Sequence, residues 1–175
     1  MAIRPAPKRL LSLEEFLALP ETEPASELID GEVVQKPVRR IEESRALTEL
    51  MFALSPHGGE PLISLGYCLP DDYRNHRVPD LSYFVPARAL PDEGYAEEAP
   101  DLSAEVLAKG QARQYVSEKL TYMRGHGAGC TLLIDPQSRT IEVHDGARTF
   151  TVGAGEKMTL EALDGFSFAV DALFA

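Results

Sequence analysis

The sequence predicts an α/β fold in which a central mixed β-sheet is flanked by helices. Two observations support this prediction. Amphipathic segments with helical spacing alternate with short strand-like segments along the chain. In addition, the apolar segment PDLSAEVL runs into the helical segment QARQYVSEKLTYMRGH, a strand-to-helix connection typical of α/β proteins. With 175 residues, 44% of them hydrophobic, the chain can bury one core, and we expect a single domain over residues 1–175.

The N-terminal part predicts a short helix followed by a hairpin. Ser12 and Glu15 fit the capping-box pattern of a helix start, and Pro20 ends the helix LEEFLALP. The pair Asp30-Gly31 follows in SELIDGEVVQKP, between two strand-like segments. An Asp-Gly pair in this setting is a strong signal for a tight hairpin turn.

A longer amphipathic helix is predicted for residues 38–54. Its apolar positions recur at helical spacing: Ile41, Leu47, Leu50, Met51 and Leu54. The opposite side carries charged residues: Arg39, Arg40, Glu42, Glu43 and Arg45. The arginines could contact a phosphate backbone, but the interleaved glutamates favour a salt-bridged helix face.

The remaining segments are strands around one further helix. LISLGYCLP and RVPDLSYF are strand-like, and the acidic segment ARALPDEGYAEEAP is a surface loop before PDLSAEVL. The helix QARQYVSEKLTYMRGH carries Ala112, Val116, Leu120 and Met123 on one stripe and ends at GHGAG. TLLIDP, TIEVH and RTFTV are further strands, the first apolar enough to be central.

Composition and charge exclude several classes of protein. The net charge of −11 repels polyanions at long range, unlike a protein that coats nucleic acid. No apolar segment has the length of a signal peptide or a membrane span, so we expect a cytoplasmic protein without membrane contact. Cys68 and Cys130 lack the spacing of a disulfide framework or zinc site. The four histidines are interpreted as loop or surface residues, and Tyr67, Tyr73 and Tyr83 as core residues.

Two acidic residues lie inside strand-like segments: Asp80 in RVPDLSYF and Glu105 in PDLSAEVL. Strand alternation puts Asp80 on the same face as Ser82, and Glu105 on the same face as Ser103. Two buried carboxylates raise each other's proton affinity, whereas a hard divalent cation relieves their repulsion. The pair therefore indicates a site for Mg²⁺ or Mn²⁺. The alternative is that each acid faces solvent, since many sheets have one exposed face.

Lys119 is predicted to lie at the depth of Glu105. From Glu105 to the strand end near Ala108 the chain rises about 10 Å, at roughly 3.3 Å per residue. The following helix returns about 12 Å from Gln111 to Lys119, at about 1.5 Å per residue. Lys119 also lies beside the apolar stripe, so its stem can cross the core edge while its ammonium reaches a polar pocket. Asp80, Glu105 and Lys119 could then surround one metal ion and one phosphate, although a solvated helix lysine is the simpler alternative.

Taken together, these segments resemble the PD-(D/E)XK nuclease superfamily and, within it, the Uma-two-like family of restriction endonucleases. The resemblance covers nearly the whole chain and depends on the order of ELIDGEVV, VPDLSYFVP, PDLSAEVL, EKLTYMRGHG and LLIDP. It implies a restriction-endonuclease-like fold and a divalent-metal-dependent endonuclease that hydrolyses DNA phosphodiester bonds. We therefore expect DNA as the substrate, Mg²⁺ or Mn²⁺ as the cofactor and, by fold-level analogy, a homodimer.

The resemblance also implies roles for individual residues. Asp80 and Glu105 match the metal ligands of the family, and the Val106 carbonyl would be a further ligand. The metal would polarise the scissile phosphate and lower the pKa of an attacking water. Lys119 matches a catalytic lysine that has moved onto the following helix, since Leu107 occupies the usual lysine position.

Glu27, in SELIDG, matches a glutamate characteristic of the family and would support the metal ligands. The chain also departs from its relatives at two places. They commonly continue the Glu105 strand with Ser-Pro-Ser and carry an aspartate four residues before the helix lysine, whereas this chain reads AKGQ from Ala108 and has Tyr115. These departures leave an alternative function open: a catalytically silent protein that keeps the fold but dimerises or binds a partner.

Overall fold

The computed structural model describes residues 9–88 and 90–175. In chain order its elements are α1 (Leu13–Leu17), β1 (Ser26–Ile29), β2 (Glu32–Gln35), α2 (Ile41–Leu54), β3 (Glu60–Ile63), β4 (Leu81–Phe84), β5 (Leu102–Val106), α3 (Arg113–Gly125), β6 (Cys130–Asp135), β7 (Thr140–Asp145), β8 (Arg148–Gly153), β9 (Lys157–Leu160) and β10 (Phe166–Ala169). Short 3-10 helices lie at Ser55–His57, Glu161–Leu163 and Val170–Phe174. Within the described residues, no helix combines the length and apolar character needed to cross a membrane.

Six strands form the central sheet in the order β3-β4-β5-β6-β7-β8. β5 and β6 are parallel, and the other neighbouring strands in this sheet are antiparallel. A parallel pair needs a crossover connection, which α3 provides. The predicted central mixed sheet flanked by helices is therefore confirmed. The antiparallel pairs β1-β2 and β9-β10 lie outside this sheet.

The helices α2 and α3 cover opposite faces of the sheet. The contacts of β6 show this, since successive side chains of a strand point to opposite faces. In β6, Leu132 and Ile134 belong to the same buried cluster as Leu50 of α2. Leu133, between them, packs instead with Val116 of α3. Both faces of β6 are thus covered, which explains why residues 132–134 are apolar without interruption.

The N-terminal helix and hairpin form as predicted. Ser12 accepts a hydrogen bond from the Glu15 N–H at 3.2 Å, and the Glu15 carboxylate accepts one from the Ser12 N–H at 2.9 Å. β1 and β2 pair in antiparallel register on either side of Asp30 and Gly31. These two residues have φ of 50° and 88°, the left-handed conformation that a two-residue hairpin turn requires.

Several element boundaries differ from the prediction. LISLGYCLP is a strand only as far as Ile63, because Ser64 adopts a φ of 54° and the chain leaves the sheet there. α2 begins at Ile41 rather than at residue 38, and Ile41 is 70% exposed instead of packing in the core. The C-terminal strands β9 and β10 and the helix Val170–Phe174 were not predicted. They are short, but their apolar side chains share the buried cluster of α2.

Two burial assignments outside the helices are also wrong. His76, interpreted as a loop or surface residue, is buried and lies between the rings of Phe16 and Tyr95, at centroid distances of 5.3 and 4.9 Å. Tyr73, assigned to the core, is 71% exposed because it lies in the polar turn before β4.

Candidate active site

Asp80 and Glu105 lie side by side at neighbouring strands. Asp80 immediately precedes β4 rather than lying inside it, and Glu105 lies in β5. Leu81 pairs with Ala104 in the antiparallel register, so one further step brings Asp80 level with Glu105. The Asp80 N–H donates to Glu105 Oε1 at 3.2 Å, and the Val106 N–H donates to Asp80 Oδ2 at 2.9 Å. Asp80 is 3% and Glu105 4% exposed, which excludes the solvent-facing alternative.

Lys119 brings a buried positive charge to the two acids from α3. Its ammonium lies 2.6 Å from Glu105 Oε1 and 2.8 Å from Glu27 Oε1. It also donates to the Val78 carbonyl at 2.7 Å, so three acceptors surround its three donors. Only 2% of Lys119 is exposed, and the structure thereby excludes a solvated helix lysine.

Glu27 reaches the site from the N-terminal hairpin. Backbone hydrogen bonds of 3.0 and 2.9 Å between Leu28 and His76 hold β1 against the segment before β4. The Val78 N–H consequently donates to Glu27 Oε1 at 2.6 Å. Tyr115 of α3 donates its hydroxyl to Glu27 Oε2 at 3.1 Å. Tyr115, one of the two departures from the family pattern, therefore contacts a site carboxylate directly.

Sequence reasoning missed two cations, Lys36 and Arg39, that contact Asp80. Lys36 Nζ lies 2.6 Å from Asp80 Oδ1, and Arg39 donates to the same oxygen. The sequence did contain a signal for Lys36. Val34 pairs with Glu27, and because side chains of a strand alternate between its faces, residue 36 is expected on the same face as Val34 and Glu27. Arg39 was assigned to a salt-bridged helix face, which is wrong, since it precedes α2 and pairs with Asp80.

Glu43 connects α2 to the segment that follows β5. Its assignment to the exposed, charged side of α2 is wrong, because only 2% of Glu43 is exposed. Its carboxylate accepts hydrogen bonds from the Arg40 N–H at 2.8 Å and the Lys109 N–H at 2.9 Å. The Gln111 side-chain oxygen accepts the Ala108 N–H at 3.1 Å. The AKGQ segment, the other departure from the family pattern, is thus held by side-chain acceptors beside the acids.

The buried charges shift each other's pKa in opposite directions. Burial raises the pKa of Glu105 to about 7, with the Asp80 charge adding to this shift and Lys119 opposing it. Burial would also raise the pKa of Asp80, but the surrounding cations, Lys36 foremost, lower it to about 2. Burial would lower the pKa of Lys119, but Glu105 and the other two carboxylates raise it. Asp80 and Lys119 are therefore charged at neutral pH, whereas Glu105 is close to its titration midpoint.

The donor chemistry of this site fits a hard divalent cation. Asp80 and Glu105 supply carboxylate oxygens, which Mg²⁺ and Mn²⁺ prefer. Glu105 Oε2 has no hydrogen-bond partner among the described residues, whereas Lys36 and Arg39 occupy Asp80 Oδ1. Over residues 9–88 and 90–175, no group of three or more His, Cys, Asp or Glu side chains could hold a metal ion. A cation would therefore use these two carboxylates together with main-chain or water oxygens, once the two basic side chains release Asp80.

Comparison with known proteins agrees with this architecture. The chain is similar to the crystal structure of a putative nuclease belonging to DUF820 from Anabaena variabilis ATCC 29413, with 26% identity over 94% of this chain and 97% of that chain. The TM-score of 0.79 confirms the predicted nuclease fold. No curated protein matches the chain. The model of the Uma2 family, described as "Putative restriction endonuclease", matches residues 13–171. Because this match spans most of the 175 residues, the chain belongs to the Uma2 family, as the order of its segments predicted.

Proposed function

We propose that this protein is a Mg²⁺- or Mn²⁺-dependent endonuclease that hydrolyses DNA phosphodiester bonds. The observation that carries the proposal is the buried contact of Asp80 and Glu105 across adjacent strands, with Lys119 paired to Glu105. The nuclease descriptions of the family and of the structural neighbour add support. Isolated buried acids are costly, so a pair of them with a fixed cation is the kind of arrangement found at functional sites.

In this proposal each site residue has a separate role. Asp80, Glu105 and the Val106 carbonyl would hold the metal, which would supply Lewis-acid chemistry at the scissile phosphate and at an attacking water. Lys119 stays protonated and holds a positive charge beside the reacting phosphate, where negative charge increases in the transition state. Glu27 acts as a positioning residue, because its carboxylate fixes the Lys119 ammonium at 2.8 Å.

A nicking assay tests the proposal. Supercoiled plasmid is incubated with purified protein in Mg²⁺, Mn²⁺ or EDTA, and single-stranded DNA is tested in parallel. Wild-type protein should nick only with metal, and Asp80→Asn, Glu105→Gln and Lys119→Met should each reduce the rate by about 10²-fold or more. Glu118→Gln is the matched control, because Glu118 neighbours Lys119 on α3 but is exposed. Metal-dependent nicking that survives these three substitutions would show that another site or a contaminant cuts the DNA.

A second candidate function is a catalytically silent protein that binds a partner. It is favoured by the ion pairs of Asp80, since Lys36, Arg39 and Lys119 balance the three site carboxylates without a metal. Such a protein would show no nicking of any substrate in either metal, and Asp80→Asn would leave its partner binding unchanged. The nuclease proposal requires metal-dependent nicking that Asp80→Asn strongly reduces.

We further propose that the protein acts as a homodimer, because two sites are needed to address the two strands of a duplex. Sedimentation velocity at the concentration of the nicking assay tests this part. A monomer that still cuts both strands would overturn the dimer and leave the site assignment in place.

A further inference from the structure

We propose that Lys36 and Arg39 form an exchangeable phosphate clamp, which pairs with Asp80 in the metal-free protein and moves to a DNA phosphate when a divalent cation binds Asp80. The inference extends the proposed function and depends on it. It assigns a substrate-binding role to two residues between β2 and α2, outside the group of acids and Lys119 considered so far.

Lys36 and Arg39 both contact the same oxygen, Asp80 Oδ1, which a divalent cation would need as a ligand. Two positive side chains and a divalent cation at one oxygen repel each other strongly in a buried site. The cation can therefore bind Asp80 only if these side chains withdraw. A phosphate at the metal would supply the negative charge that they then lack.

The three cations of the site differ in how firmly they are held. Lys119 is held by three acceptors and its side chain is 2% exposed, so it is a fixed charge. The side chains of Lys36 and Arg39 are 10% and 24% exposed, so both are less enclosed than Lys119. Lys36 also donates to the Val78 carbonyl, so it must leave two acceptors, whereas Arg39 must leave one. Among the described residues, Arg39 has Asp80 as its only hydrogen-bond partner, so most of its five N–H donors remain available.

Hydrogen bonds fix the backbone on either side of the segment between Lys36 and Arg40. The Lys36 N–H donates to the Ala25 carbonyl at 2.9 Å, which continues the pairing of the hairpin. The Arg40 N–H donates to Glu43 at 2.8 Å, at the start of α2. Both ends of the segment are thus anchored. The exchange requires only side-chain rotation, with the backbone kept in place.

One recess of about 10 Å³ is lined by Lys36, Arg39, Asp80, Glu105 and Lys119. A phosphate fits beside the two acids only after Lys36 and Arg39 have moved outward, and it would then lie next to both cations. A guanidinium matches phosphate oxygens with two parallel hydrogen bonds, and an ammonium adds a point charge. This local pair of cations also explains how a chain with a net charge of −11 could receive DNA.

The test measures metal binding and DNA binding separately, without cleavage. Lys36→Met and Arg39→Gln are compared with wild type and with Arg45→Gln, a control that removes an exposed charge from α2. Isothermal titration with Mn²⁺ in the absence of DNA should show about five- to tenfold tighter Mn²⁺ binding for the two clamp variants. Each substitution removes a positive side chain that competes with the metal for Asp80. Arg45→Gln should match wild type.

Fluorescence anisotropy with a short DNA duplex in Ca²⁺ provides the second readout. Each clamp variant should bind about tenfold more weakly than wild type, and its salt slope should fall by about one. Lys36→Arg keeps the charge and should retain most of the affinity, which separates the clamp from a folding defect. The Arg39 side chain is 24% exposed, so Arg39→Gln is the milder substitution. It provides a second test of the clamp if Lys36→Met fails to fold.

The outcomes separate this inference from the proposed function. Tighter Mn²⁺ binding with unchanged DNA binding would overturn the clamp and leave Lys36 and Arg39 as mere competitors of the metal. If the clamp variants bind both Mn²⁺ and DNA with the affinity of wild type, Lys36 and Arg39 do not exchange between Asp80 and a phosphate, while the nuclease proposal stands. Wild-type protein that binds no Mn²⁺, or binds it equally well after Asp80→Asn, would overturn the proposed metal site and the clamp with it.

Discussion

Lys119 of α3 and Glu105 of β5 form a buried ion pair with 2.6 Å between Nζ and Oε1. In the PD-(D/E)XK pattern that the sequence resembles, the lysine follows two residues after the acid, where this chain has Leu107. The same pairing of charges is reached here from a different element, because α3 runs back beside β5 after the crossover. The proposed chemistry depends on the position of the ammonium relative to the acid, rather than on the position of the lysine in the sequence.

Lys119→Met should destabilise the protein by about 3–5 kcal/mol, because it leaves Glu105 and Glu27 buried without their counter-charge. Urea unfolding measures the loss. Lys157→Met is the control, since Lys157 is exposed, and it should change stability by less than about 0.5 kcal/mol. A cost of that small size for Lys119→Met would show that the buried acids are protonated or hydrated rather than paired.

The stability of the protein should depend on pH through Glu105. Its pKa is raised from 4.5 to about 7, so its contribution is fully present below pH 4.5 and is lost as the pH rises through 7. The Glu105→Gln variant has no ionisable group at this position, so its stability does not show this pH-dependent loss. The unfolding free energy of wild type relative to Glu105→Gln should therefore fall by about 1.4 kcal/mol per pH unit within that window. Chemical unfolding of both proteins at several pH values tests this, and a constant difference would contradict it.

Glu43→Ala should loosen the segment after β5. The substitution removes the acceptor of the Arg40 and Lys109 N–H groups and should cost about 1–3 kcal/mol. Hydrogen exchange of the Lys109 amide should accelerate more than exchange in β6. Glu42→Ala, at an exposed neighbouring position on α2, should leave that amide protected as in wild type. Equal exchange rates in the two variants would remove the tethering role from Glu43.

Tyr115→Phe removes the hydroxyl that donates to Glu27 and should cost about 0.5–1.5 kcal/mol. If Glu27 positions Lys119, the same variant should also lower the nicking rate without weakening DNA binding. Tyr73→Phe is the control, because Tyr73 is 71% exposed. A variant that loses stability but keeps the full nicking rate would assign Tyr115 to packing alone.

The sequence by itself determined the order of elements as far as β8 and the pairing of the two acids. Capping residues, the Asp-Gly turn and helical spacing act between residues close in the chain, so α1, the hairpin, α2 and α3 were predictable. Asp80 and Glu105 meet because adjacent strands pair in register and their side chains alternate. The depth of Lys119 followed from the rise per residue of a strand and a helix.

Only the tertiary structure decided which charges neutralise the site. Lys36 contacts Asp80 across 44 residues, and Glu43 contacts Lys109 across 66. These contacts depend on how the hairpin and α2 dock onto the sheet, and on which rotamers long side chains adopt after docking. Local spacing encodes neither. The shift of the Glu105 pKa to about 7 has the same origin, since it is caused by burial and neighbouring charges that exist only once the chain has folded.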